Sequence, residues 1–152
     1  MTTFKDTENR EWTIRLDFAS LQAIKDAAQV DLGNVEQLAK TWAELLLDDG
    51  KALHVLWLAI SRAAAASGVE RPEFLASMNG DTLHAALEAL GAAIESFTQP
   101  RKRGVAERSI RGVSEGMRRA MEQAETEIEK VMTERTEAAL EALGMLEPTS
   151  QE

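Results

Sequence analysis

Between Gly116 and Gly144 no glycine or proline interrupts the chain. Together with the segment before it, this run predicts one long helix over about 104–143, weakened at Gly112 and Gly116. Unbroken, such a helix is on the order of 60 Å long at about 1.5 Å per residue. That is too long to pack wholly on a core of ~100 residues. Its apolar positions are few: Ile110, Val113, Met117, Ala120 or Met121, Ala124, Ile128 and Val131. They are spaced by three and four, the pattern of a thin coiled-coil stripe.

The charge of this arm is divided. Residues 101–119 hold seven basic side chains against two acidic ones, a net +5, and residues 120–152 hold nine acidic against two basic, a net −7. Residues 1–100 carry a further −7, which gives −9 for the 152-residue chain. An acidic protein lacks the positive footprint of a general nucleic-acid binder. The cluster Arg101-Lys102-Arg103, followed by Arg108 and Arg111, is a candidate patch for phosphate or an acidic partner. Pairing with the chain's own acidic surface is the simpler use for it. Two arms laid antiparallel would match basic to acidic segments, so self-association through the C-terminal helix is expected.

The N-terminus reads differently. In FKDTENREWTIRLDF, Trp12, Ile14, Leu16 and Phe18 alternate with Thr13, Arg15 and Asp17. This period of two, after the polar cluster Asp6 to Arg10, predicts a β-hairpin over about 2–6 and 11–17. A lone hairpin is marginal in water, so its apolar face must lie on the helices or its edges must pair with another chain.

Between hairpin and arm the periodicity is helical. Ser20 is the expected N-cap of a first helix with Leu21, Ile24 and Ala28 on one face. Asp31-Leu32-Gly33-Asn34 breaks it. A second helix places Leu38, Trp42, Leu45 and Leu46 inward and ends at Asp49-Gly50. A third, over 51–66, is apolar on most sides (Leu53, Leu56, Trp57, Ile60) and is the expected centre of the fold. Pro72 opens a short helix with Phe74, Leu75 and Met78 for packing. After a turn at Asn79-Gly80-Asp81, a helix over 82–97 carries Leu83, Leu87, Leu90, Ile94 and Phe97. Pro100 marks the next boundary.

The expected class is mainly α: a helical domain with a small N-terminal β-hairpin and a long C-terminal helix. Its divisions are a domain over 1–100, a charged arm over 101–147 and a frayed tail over 148–152. A compact chain of this size buries roughly 70% of its unfolded surface.

Little points to catalysis. With no cysteine, thiolate metal sites and Cys nucleophiles are excluded. His54 and His84 sit apart, each among apolar helical residues, and only His84 has a carboxylate at helical spacing, Glu88. A metal site wants ligands that converge, such as two His four apart with an acid nearby. No nucleophile elbow or glycine-rich phosphate loop occurs. No cofactor is expected. Trp42 and Trp57 read as core, and Trp12 as a candidate anchor for a partner. The start MTTFKDTENRE has no apolar signal region, and no apolar run approaches the ~20 residues that span a bilayer. Cytoplasmic residence is the resulting expectation.

The layout Phe4, Asp6, Arg10, Trp12, Ile14, Leu16, then a helix, then Asp31-Leu32, then a helical block closing on Phe97, Pro100, Lys102 and Arg103, resembles small phage proteins encoded among tail genes and described as tail assembly chaperone-like. The resemblance covers about 1–103. It implies a small, acidic, helical, non-enzymatic protein of the bacterial host cytoplasm that holds the tape-measure protein during tail assembly. It carries over no catalytic residue and does not include the arm. Two other classes stay open. One is a structural virion component (connector or tail subunit) with the arm as a subunit contact. The other is a regulatory module with a basic, nucleic-acid-facing segment. The candidate partner-binding residues are Trp12, Arg101, Lys102, Arg103, Arg108, Arg111, Met117, Met121 and Ile128.

Overall fold

The computed structural model describes residues 2–144. It is mainly α, with a two-stranded antiparallel hairpin at the N-terminus and a long helix at the C-terminus. None of its helices is long and apolar enough to cross a membrane. The chain forms two compact units, residues 1–114 and 115–152. The frayed tail expected over 148–152 lies outside the described residues.

In the first unit, β1 (Thr2–Lys5) and β2 (Glu11–Ile14) pair with Phe4 opposite Trp12. The alternation works as expected up to Ile14: Phe4, Trp12 and Ile14 are buried. It stops there, short of 17. Asp17 becomes an N-cap instead, its carboxylate accepting from the Ser20 N–H while the Ser20 hydroxyl accepts from the Asp17 N–H. Ser20 is therefore the third helical residue of a capping box and not the cap. The helix it starts, α1 (Phe18–Ala28), leaves Phe18 78% exposed where a strand would have turned it inward.

A 3-10 turn (Val35–Gln37) leads into α2 (Leu38–Leu47), which buries Leu38, Trp42 and Leu45 as its periodicity requires. Asp48 both ends α2 and caps α3 (Asp49–Ala59), accepting from the Lys51 N–H. Asp49 and Gly50 thus open a helix instead of closing one. The expected third helix is two: α3 ends at Ile60, and α4 (Ser61–Ser67) follows. At this break the Ala59 carbonyl accepts from the Arg15 N–H just beyond β2. Helix α5 (Arg71–Ala76) has Pro72 in its first turn and buries Phe74.

In the segment over 51–66, α3 packs against α1, α2, α4 and α5, as expected of the centre of the fold. Helix α6 (Gly80–Phe97) completes the core. It is capped by Asn79 and buries eight residues, among them Leu83, Ala86, Leu90 and Ile94. Both hairpin strands and α3 pack against it. Gly91 of α6 lets Trp42 and Ile110 approach closely. A Cβ on Gly91 would stand 3.2 Å from the Ile110 Cγ2 and 3.5 Å from the Trp42 ring. The last helix, α7 (Pro100–Ala142), starts with proline in its first turn and runs through Gly112 and Gly116 without a break. Its Ala106 and Ile110 belong to the core, and the Trp42 indole N–H donates to the Ser114 hydroxyl at 2.9 Å. The first unit therefore extends past 100 into the charged helix.

An aromatic cluster closes the hairpin onto the helices. Phe74 is met by Phe4, Trp12 and Trp57 at centroid distances of 6.5, 5.9 and 5.7 Å, the first two edge-on. Edge-to-face packing places positive ring edges on negative faces.

Candidate protein-binding faces

The polar cluster in the hairpin turn is built around one carboxylate. The Asp6 side chain is wholly inaccessible. Its Oδ1 accepts from the Glu8 and Arg10 N–H groups at 2.9 and 3.0 Å. Its Oδ2 accepts from Arg10 Nε at 2.8 Å, from the Trp12 indole at 2.9 Å and from the Ser77 hydroxyl at 3.3 Å. Burial pushes the carboxyl up, but the bonds from Arg10 and Trp12 and the Arg10 charge outweigh it and hold Asp6 below its ordinary value. Arg10 reaches on to Glu73, and its guanidinium lies 5.7 Å over the Trp12 ring. This constellation is structural, since every strong donor around Asp6 is occupied. Trp12, 1% exposed, is accordingly a core residue, and the expected anchor on the hairpin gives way to an interior tie.

The basic candidates divide. Arg101, Lys102 and Arg108 are exposed. Arg103 donates to the carbonyls of Glu95, Ser96 and Thr98, groups that the end of α6 leaves without helical partners. Arg111 pairs with Glu107 at 2.9 Å, one turn away. Arg103 and Arg111 are thus partly committed to the chain itself.

The second unit belongs to α7. Arg118 bonds Glu115 and Glu122 at 2.6 Å, and Arg119 reaches Glu115 at 3.4 Å. The Arg118 bond lowers the Glu115 carboxyl and raises the Arg118 guanidinium, so both stay charged. Between these charges runs an uncovered apolar stripe. Met117 is half-buried, while Met121 and Met132 are each 62% exposed, Ile128 59% and Val131 43%. Large apolar side chains in succession on one helix mark a binding face more often than scattered ones do.

One feature had no clear sequence signal. An open groove of about 320 Å³ lies between α1 and the end of α6, lined by Phe18, Leu21, Val35 and Phe97, with Lys25 and Lys102 at its rim. Phe18 and Phe97 meet edge-on at 5.0 Å. Only the Phe18-to-Asp17 step from strand to helix cap would have revealed it.

His84 faces Glu88 at 3.2 Å with both side chains largely exposed. Among the described residues no group of three His, Cys, Asp or Glu is placed to hold a metal ion. Comparisons with protein-family models, curated proteins and solved structures find no match to this chain.

Proposed function

We propose that this chain is a non-enzymatic assembly protein that binds a helical protein partner, of the kind found in phage tail assembly chaperones that hold the tape-measure protein. The observation that carries it is the uncovered stripe Met121, Ile128 and Met132 on α7, which half-buried Met117 begins. A holdase works by covering apolar surface on an unassembled partner, and needs no reacting groups to do so. Methionine suits that task, because its flexible thioether fits irregular apolar surfaces. The charged residues flanking the stripe keep it in solution. The N-terminal layout from Phe4 to Leu16, which resembles that family, supports the same reading.

The structural-virion alternative uses the same stripe for a permanent subunit contact. A nucleic-acid-facing role fits less well, because Arg111, Arg118 and Arg119 pair with Glu107, Glu115 and Glu122. Co-expression with the long helical tail protein, followed by analysis of finished particles, separates these readings. A chaperone co-purifies with that protein and is missing from particles. Presence in particles at stoichiometric amounts would replace the chaperone reading with the virion one.

A further inference from the structure

Past Glu122 the edges of the α7 stripe carry one sign of charge. Met121, Ala124, Ile128, Val131 and Met132 are all exposed and lie on one face. Residues three, four or seven apart are neighbours on a helix surface. Glu125 stands four after Met121 and three before Ile128, and Glu129 stands three before Met132, so both lie along one edge of the stripe. On the other edge, Glu127 stands three after Ala124 and four before Val131, and Glu134 three after Val131. The two cations of this stretch do not interrupt the edges. Lys130 is in line with Gln123 and Glu137 on the far side, and Arg135, seven after Ile128, lies in the stripe itself and ends its apolar run.

Among the described residues, none of these four edge carboxylates makes an ion pair. The ion pairs of the second unit are those of Arg118 and Arg119 with Glu115 and Glu122. From 120 to 144 the chain holds seven acidic side chains against two basic ones, a net −5. Glu125 and Glu129 stand four apart, where like charges repel. The carboxylates do not converge on a metal ion. They bracket an uncovered apolar strip roughly 17 Å long at about 1.5 Å per residue.

Charge and apolarity together select the occupant. A second copy of the same stretch would set like edges against each other in either direction. Nucleic acid and anionic lipid are repelled for the same reason. A helix whose own apolar stripe is edged by lysine or arginine covers the methionines and neutralises both edges at once.

We infer that the face from Met121 to Met132 takes a basic amphipathic helix of a partner protein. Cations of that helix lie against Glu125 and Glu129 on one edge and Glu127 and Glu134 on the other. The assignment rests on the stripe being a helix-binding face and adds the chemistry of the partner.

Fluorescence anisotropy of labelled peptides titrated with the full-length chain tests it. The first peptide is an amphipathic helix of about 21 residues, a leucine stripe edged by lysine. The second has glutamine in place of each lysine. The third keeps the composition of the first in an order that destroys the stripe. The lysine-edged peptide should bind on the order of tenfold more tightly than the glutamine-edged one. Raising salt from about 0.05 to about 0.5 M should remove most of that preference by screening. A chain carrying Glu125→Gln, Glu127→Gln, Glu129→Gln and Glu134→Gln, its helicity checked by circular dichroism, should bind the two amphipathic peptides equally. Equal binding of both by the unmodified chain overturns the charge selection and leaves the helix-binding face standing. Binding of the reordered peptide as tightly as the first overturns it too, since bulk attraction to an acidic chain then suffices. Binding of neither amphipathic peptide overturns the helix-binding face itself, and the charge selection with it.

Discussion

Replacing Asp6 with asparagine keeps size and shape and removes only the charge and one acceptor, yet the expected loss of stability is large. An amide has one oxygen and one NH2 group. Asp6 Oδ1 faces two backbone donors, and Oδ2 faces Arg10 Nε, the Trp12 indole and the Ser77 hydroxyl. Whichever way the amide turns, its NH2 meets at least two N–H donors. Ser77 escapes, because its hydroxyl also donates to the Phe74 carbonyl at 2.8 Å. The Trp12 indole does not, and a buried donor left unpaired costs about 1–3 kcal/mol. Breaking a buried, charged hydrogen-bond cluster costs about 3–5 kcal/mol in all. Against a total of about 5–15 kcal/mol this is a major fraction, a fall in Tm of about 10–20 °C for a chain of this length. Asp6→Asn should therefore be no more stable than Asp6→Ala. Urea unfolding followed by tryptophan fluorescence reads both. The pH dependence adds a signed check. The folded-state value of Asp6 lies below its ordinary 3.8, so its contribution is complete above that value and is lost as pH falls through the depressed one. The gap between wild type and Asp6→Asn should narrow as pH drops below about 4. An Asp6→Asn variant within about 0.5 kcal/mol of wild type at pH 7 would refute the account of the cluster.

Other perturbations test the packing. Gly91→Ala should stay within about 1 kcal/mol of wild type, since the helical gain of alanine offsets a 3.2 Å approach to Ile110, whereas Gly91→Leu should lose about 3 kcal/mol or more in thermal unfolding. A chain ending at residue 100 should be less stable by about 3–6 kcal/mol than one ending at 116, because it loses Ile110 and Ala106 and uncovers Trp42, and equal stabilities by denaturant titration would contradict the placement of 101–114 in the core. Ser114→Ala should cost about 1 kcal/mol by leaving the Trp42 indole without its acceptor, and Trp42→Phe should make that second change silent in a double-mutant cycle.

Periodicity made the helices legible. Leu38, Trp42 and Leu45 were placed inward by spacing, and so were Leu83, Leu90 and Ile94, and all are buried. What periodicity could not supply was competition between neighbours for the same backbone group. Asp17 and Ser20 compete for the end of the strand, and the reciprocal cap wins, turning Phe18 outward. Asp48 ends one helix and starts another because a single carboxylate can cap the next turn at once. The break at Ile60 coincides with a bond from Arg15, forty-five residues earlier, which no local pattern encodes. The hairpin anchor failed for a related reason. Trp12 looked available on a small β element, but Asp6 offers its indole a buried acceptor. The stripe on α7, by contrast, was readable because nothing else in the described chain covers Met121, Ile128 or Met132.

The most direct test of the central claim, that α7 presents a face for a helical protein, is the capture of the co-expressed tail protein by tagged full-length chain and by its Met121→Glu, Ile128→Glu double variant. Both side chains are more than half exposed, so the variant should keep its fold and thermal stability. The account expects tail-protein capture to fall by tenfold or more in the variant. Undiminished capture by a folded variant would contradict it and move the binding face away from α7.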